Sequence, residues 1–213
     1  MEFQYFKDKV SNLKKITLPG EEAHYKLAPL FRVQELEKLN GQNADAKNAG
    51  VLAVFYPSPE DKVHFVLILR KTYKGVHSNQ VGFPGGRVEK EDRDLEQTAL
   101  RETEEEVGIP RSEIQVLKKL TQIYIPPSNF WVYPFLGIME RTPLLIPQED
   151  EVEDILEIDL DEFLSDSCLT TQKLSTSYAE NVDVPAFLLN GHIVWGATAM
   201  VLSEMKELLK QVL

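Results

Sequence analysis

The sequence predicts a mixed α/β (α+β) sandwich, and three observations carry that prediction. Two β-rich runs, Val51-Leu52-Ala53-Val54-Phe55-Tyr56 and Val63-His64-Phe65-Val66-Leu67-Ile68-Leu69, flank the turn-forming Pro57-Ser58-Pro59-Glu60-Asp61. Apolar residues recur at helical spacing in three separate stretches, residues 3–13, 95–107 and 197–213. Asn190-Gly191 stands between two apolar runs, the strongest short signal for a two-residue hairpin. A chain of 213 residues accommodates one well-packed domain with an extension rather than two full domains. We therefore expect an N-terminal helical extension over residues 1–45 and a core domain over residues 46–213.

Taken in order, Phe3, Phe6, Val10 and Leu13 share one face of a short amphipathic helix. The polar stretch 39–50, with Gly41, Asn43, Asp45 and Asn48, reads as a linker or loop. The two β-rich runs form a largely buried hairpin, and residues 71–86 form a Gly-, Pro- and Asn-bearing loop. A helix over residues 95–107 is closed by Gly108 and Pro110. Further strands are expected at residues 115–125, 132–139 and 152–158, then the Asn-Gly hairpin within 187–195. In the closing helix Met200, Leu202, Met205, Leu208, Leu209 and Val212 fall at helical spacing.

Composition narrows the functional classes. The hydrophobic share of 43% and charged share of 27% suit a globular protein. With 23 basic against 34 acidic residues the formal net charge is −11, which argues against a nucleic-acid partner. It does not argue against an anionic small molecule, because bound divalent cations invert the local field. Cys168 is the only cysteine, so neither an intrachain disulfide nor a cysteine metal cluster can form, and no basic neighbour in sequence marks it as a nucleophile. The N-terminus lacks the basic-then-apolar layout of a signal peptide, and no apolar run has the length of a membrane span. A cytoplasmic protein without a membrane partner is expected.

The chemistry concentrates in Arg101-Glu102-Thr103-Glu104-Glu105-Glu106-Val107-Gly108. On a helix, Glu102 and Glu106 are neighbours four residues apart, at the edge of an arc formed by Leu95, Ala99, Leu100, Thr103 and Val107. Glu105 lies on the adjoining face, with Arg101 one turn before it. Two like charges where a buried face meets a cleft repel, and a hard divalent cation, Mg²⁺ or Mn²⁺, relieves that repulsion. The Gly85-Gly86 turn lets backbone approach the same cation or a phosphate. A solvated acidic helix face is the simpler account of any isolated Glu-rich run.

The segment resembles the Nudix box, in which a glycine, five residues, a glutamate and seven residues precede Arg-Glu-apolar-x-Glu-Glu-x-Gly-apolar. Here Gly86, Asp92 and the run from Arg101 to Ile109 occupy that pattern. Asp92 replaces the first glutamate and stands nine rather than eight positions before Arg101, and Thr103 replaces an apolar residue. The resemblance implies an α/β/α sandwich with a loop–helix–loop catalytic motif, hydrolysing a nucleoside diphosphate linked to another moiety. It implies metal ligation by Glu102 and Glu106, with Glu105 a further ligand or base, Arg101 orienting the glutamates, and the Gly85 or Gly86 backbone completing the shell.

Phe83-Pro84-Gly85-Gly86 and the stretched spacing to Arg101 are similar to the coenzyme A pyrophosphatase branch of that family. Arg70 and His77 match the branch's upstream signature: Arg70 is expected to contact substrate phosphate, a surface strand-end charge being the simpler account, and His77 either contacts phosphate or orders the loop before Phe83. Lys71, Gly75 and Asn79 depart from it, and Gly75 removes a guanidinium suited to a pair of phosphate oxygens. The branch implies cleavage of coenzyme A or its derivatives to phosphopantetheine and adenosine 3′,5′-bisphosphate. The departures keep another nucleoside diphosphate derivative, such as ADP-ribose, in view, and a catalytically silent ligand-binding module is the third reading. Within the acidic run 149–157, Glu151 is the candidate for a ligand or base from outside the box. The aromatic stretch 124–133 suits either a substrate-contacting lip or the contact surface of a homodimer.

Overall fold

A computed structural model describes residues 1–29, 32–33, 45–72, 79–174 and 182–213 of the chain. Strand β1 (Lys47–Pro57) is the spine of a mixed sheet. Its outer end pairs antiparallel with β2 (Val63–Arg70), with Phe55 opposite Phe65, and its inner end with β4 (Gly85–Arg87), with Gly50 opposite Gly86. Along its other edge runs β7 (Phe130–Ile138), parallel to it. The sheet is completed by β3 (Val81–Gly82) and β8 (Val152–Asp159) on β2, and by β5 (Gln115–Lys119) and β6 (Ile123–Ile125) on β7.

The alternation of β1 assigns its two faces. Leu52, Val54 and Tyr56 join Val66 and Ile68 of β2 in a core shared with Ala99, Leu100 and Val107 of helix α3 (Leu95–Val107). Ala53 and Phe55 join Phe65 and Leu67 on the opposite face, in one core with Phe6 of α1 (Phe3–Val10), Leu27 at the end of α2 (Glu21–Lys26), Phe163 of α4 (Leu160–Leu164) and Leu202 and Met205 of α5 (Gly196–Lys210). The phenyl rings continue this second core, Phe6 to Phe55 at 5.0 Å, Phe55 to Phe65 at 5.8 Å and Phe65 to Phe163 at 5.2 Å. A smaller sheet of β9 (Leu169–Leu174), β10 (Val182–Leu189) and β11 (His192–Val194) lies beside that helical layer. The result is the expected layered α+β sandwich with a mixed sheet. None of the described helices is long and apolar enough to cross a membrane.

Several local expectations change. Within the expected linker over 39–50, β1 already begins at Lys47; its first residues pair with β7, and Gly50 lets α3 lie against the strand. A Cβ on Gly50 would stand 2.4 Å from the Leu95 carbonyl oxygen. The expected single strand over 115–125 is two strands, broken where Thr121 turns its backbone amide and hydroxyl to Glu204. Residues 81–87 carry two short strands rather than loop. The first helix ends at Val10, with Leu13 buried by a following 3-10 turn. The Asn-Gly hairpin forms as expected, with φ of 47° at Asn190 and 79° at Gly191. Helix α3 runs over the expected residues, begun by Asp94, whose carboxylate accepts the Gln97 amide, and ended by Gly108 at φ 76°.

Candidate functional site

Helix α3 brings the box residues together in two groups. Toward its N-terminal half, the Arg101 guanidinium forks onto Asp92, Nε and Nη2 each 3.0 Å from a carboxylate oxygen. Asp92 also accepts the Thr98 hydroxyl and the Glu89 amide, both at 2.9 Å. The Arg101 hydrogen bond, with the smaller contributions of the Glu89 amide and Thr98, outweighs its burial and holds its carboxyl down at about 2. Arg101 further reaches Glu105 at 2.9 Å, Glu102 at 3.0 Å and the Arg87 carbonyl at 3.2 Å. The stretched spacing to Asp92 thus leaves it within full reach of Arg101. The half-exposed Glu105 faces Arg101, as its wheel position implies.

Toward the C-terminal half, Glu106 is 1% exposed, deeper than the arc edge where the wheel places it. Its Oε2 accepts the Gly85 amide at 2.7 Å. Its Oε1 is buried without a hydrogen-bond partner. Burial is the main reason its carboxyl is pushed up to about 7; the Arg70 charge and Gly85 amide pull it down, and the charges of Glu102 and Glu151 push it up. Glu102 is likewise raised, first by burial, with Arg101 opposing and Glu105 and Glu151 reinforcing. The Gly86 backbone lies under the Glu102 carboxylate so closely that a Cβ there would stand 2.5 Å from it. A side chain there would push the Glu102 carboxylate aside.

Two outer elements complete the neighbourhood. Along β2, Val66 and Ile68 face α3, and the same alternation carries Arg70 beneath Glu106, Nη2 to Oε1 at 3.4 Å. Residues 146–151 link α3 to that strand end. Ile146 and Gln148 donate their amides to the Val107 and Glu106 carbonyls, each at 3.0 Å, and Lys71 donates to the Glu151 carbonyl at 2.9 Å. Glu151 therefore comes to the same place as Glu102 and Glu106 and acts on both electrostatically. These backbone links carry no sequence signal that spacing could reveal.

Other sequence candidates fall elsewhere. His77, with Gly75, lies outside the described residues. The aromatic stretch packs within itself, Tyr124 on Trp131 at 5.3 Å and Lys119 over Tyr133 at 4.5 Å, on the edge of β1 away from Gly85 and Gly86. Cys168 does have a basic neighbour, supplied by the fold: Lys206 Nζ lies 3.6 Å from its sulfur. Burial nevertheless pushes the thiol up. His24 is buried against Glu204 at 3.1 Å.

The donor set fits a divalent cation in part. The orphaned Glu106 oxygen, the raised Glu102 carboxyl and the glycine cradle are oxygen-rich and under-neutralised. Among the described residues, no three His, Cys, Asp or Glu side chains form a ready-made cage.

A model of the NUDIX domain matches residues 46–174. The uncharacterized Nudix hydrolase NudL of Yersinia pestis (strain Pestoides F) is 31% identical over 167 residues, covering 78% of this chain and 81% of its own. The NudL of Yersinia pseudotuberculosis (serotype O:1b, strain IP 31758) shows the same identity and coverage. Among solved structures, the Nudix hydrolase RenU from M. smegmatis superposes with a TM-score of 0.54 at 12% identity, over 79% of this chain and 88% of that one. A MutT/nudix family protein from Enterococcus faecalis gives 0.50 at 18% identity, over 92% and 76%. These two structures share the fold.

Proposed function

The chain belongs to the Nudix family and is a Nudix hydrolase, and from that premise we propose that it cleaves the pyrophosphate of coenzyme A or its derivatives, using Mg²⁺ or Mn²⁺. The observation that carries the metal-dependent part is the buried Glu106 with one oxygen unpartnered beside Glu102 and the Gly85-Gly86 turn. The substrate assignment rests on Phe83-Pro84-Gly85-Gly86, the stretched spacing from Asp92 to Arg101, and Arg70. Residues 1–45 serve in this reading as an extension packed on the catalytic domain 46–213.

Glu102 and Glu106 would hold the cation, with Glu105 and the Gly86 backbone completing its shell. When bound, the cation offsets charge on the pyrophosphate oxygens and acidifies a coordinated water. Arg101 fixes α3 against the 87–92 loop and keeps Glu105 beside Glu102. Glu151, exposed and near enough to act electrostatically on the same carboxylates, would take the proton of the attacking water, and Glu105 is the alternative base. Arg70 is placed to receive a phosphate oxygen, with His77 as a second contact.

The test is a comparison of coenzyme A, acyl-coenzyme A, ADP-ribose, NADH and dinucleoside polyphosphates with each metal, products resolved by chromatography. Adenosine 3′,5′-bisphosphate from coenzyme A at the highest kcat/KM is the expected result. Gly75, where the branch has arginine, favours the second reading, an ADP-ribose-type substrate; faster release of AMP from ADP-ribose would establish it instead.

A further inference from the structure

Arg70 and Arg101 both meet carboxylates of the site, and they do so differently. Arg101 makes two bonds of 3.0 Å to Asp92, a closed fork. Arg70 stands 3.4 Å from Glu106 Oε1, beyond the 2.7–2.9 Å of a charge-assisted hydrogen bond, and leaves that oxygen without a bonded partner. Its backbone is held by the Gln80 carbonyl at 3.1 Å, and the next residue by the Glu151 carbonyl. Its side chain is 25% exposed, so the guanidinium can leave without moving the strand.

We propose that Arg70 is a resident counter-ion of Glu106 that a divalent cation displaces, so that metal binding hands a guanidinium to the anionic substrate. The inference rests on the metal-dependent reading above. The other Glu106 oxygen is already committed to the Gly85 amide, which leaves Oε1 as the open ligand position. Glu102 and Glu151 also face Glu106 and keep the local field negative, so a cation there is needed with or without metal. A guanidinium cannot shed its charge, and it cannot remain against an oxygen that a doubly charged ion has taken. Released, its planar fork matches a pair of phosphate oxygens. By linkage, an anion that draws Arg70 away strengthens metal binding to the same degree that metal strengthens anion binding. Arg70 is thus a competitor of the metal at Glu106 and a binding residue for the substrate.

The experiment titrates Mn²⁺ alone into metal-free wild type, Arg70→Gln, Arg70→Lys and Glu106→Gln by calorimetry and electron paramagnetic resonance, buffered well above neutrality. The expected results are binding about tenfold tighter in Arg70→Gln, near wild type in Arg70→Lys, and largely lost in Glu106→Gln. Equal or weaker binding in a folded Arg70→Gln overturns the proposal. Should that variant not fold, the Arg70 side-chain ¹⁵N signal of wild type decides. A shift on Mg²⁺ saturation, with the fast exchange of a solvated guanidinium, supports displacement, and an unmoved signal overturns it. Wild type that binds no Mn²⁺ sinks the metal-dependent reading itself, whereas equal binding with and without Arg70 sinks only the displacement.

Discussion

Glu106 and Glu204 are buried to the same degree, 1% and 0% exposed, and the fold treats them in opposite ways. Glu204 on α5 is surrounded by donors: the Gly20 amide at 3.2 Å, the Thr121 amide at 3.1 Å, the Thr121 hydroxyl at 2.6 Å, and His24 Nε2 at 3.1 Å. Burial pushes its carboxyl up, but His24 and Thr121 outweigh that, and it ends below the ordinary range. Glu106 has one backbone donor and a distant guanidinium, and it ends far above that range. Equal burial with unequal donors separates a carboxylate that ties the structure together from one that we propose binds a cation. Glu204 joins residues 20–24, the β5–β6 turn and α5. Glu106 Oε1 has no hydrogen-bond partner. A buried polar group left unsatisfied in a native fold requires such an explanation.

Exchanging each carboxylate for its amide tests the contrast most severely. Glu106→Gln should lower metal-dependent turnover roughly 10²–10³-fold, measured as nucleotide product released, while the variant unfolds no more easily than wild type. Glu204→Gln should do the reverse. Its amide hydrogens would confront the Thr121 and Gly20 amides, at a cost of roughly 3 kcal/mol in urea unfolding. Turnover per folded molecule should stay within about twofold, since the two sites share no partner. A Glu204→Gln protein as stable as wild type would break the comparison, because its donors would then matter no more than those Glu106 lacks.

Acidity gives the two glutamates opposite signatures. The Glu106 carboxyl rises from an ordinary 4.5 to about 7 on folding. Its contribution to stability is full below the ordinary value and is lost as pH rises through the folded one, about 3 kcal/mol in all for the metal-free protein. Glu204 is depressed, so its contribution is present above the ordinary carboxylate value and is lost as pH falls through its folded one. Urea midpoints taken across pH should therefore show Glu106→Gln gaining on wild type between about pH 5 and pH 7, with Mn²⁺ removing that gain. No gain at all would mean that Glu106 is solvated in the folded protein, and a gain in the opposite direction that Arg70 and the Gly85 amide outweigh its burial.

Much of this contrast was legible on one side only. The helix over 95–107, its cap at Gly108 and the pairing of Arg101 with Glu105 follow from local spacing, and local spacing is what the helix obeys. The depth of Glu106 does not follow, because it depends on strand β1 passing beneath the helix at Gly50, which is 45 positions from Leu95 in the chain. Arg70 was legible as a strand-end cation; its place under Glu106 needs the alternation of β2 read against the helix that covers it. The Glu204 cluster was not legible at all. A glutamate among Met200, Leu202 and Met205 reads as the polar face of an amphipathic helix, whereas residues 20–24 and Thr121 cover that face and bring the donors.

A smaller effect asks whether the closed clamp beside Glu106 works by charge or by shape. Arg101→Lys keeps the positive charge near Asp92, Glu102 and Glu105 but cannot make the double bond to Asp92 and also reach the Arg87 carbonyl. If shape matters, the 87–92 loop loosens against α3, stability falls by about 1 kcal/mol and turnover by about tenfold, measured on the same substrate as Glu106→Gln. The Asp92 carboxyl, held at about 2 by the fork, should then titrate nearer the ordinary range, readable from its ¹³C resonance. If charge alone matters, lysine leaves turnover unchanged while the Asp92 resonance still moves. The clamp would then be a neutraliser of the glutamates, and its contrast with Arg70 would lie in distance rather than in the fork.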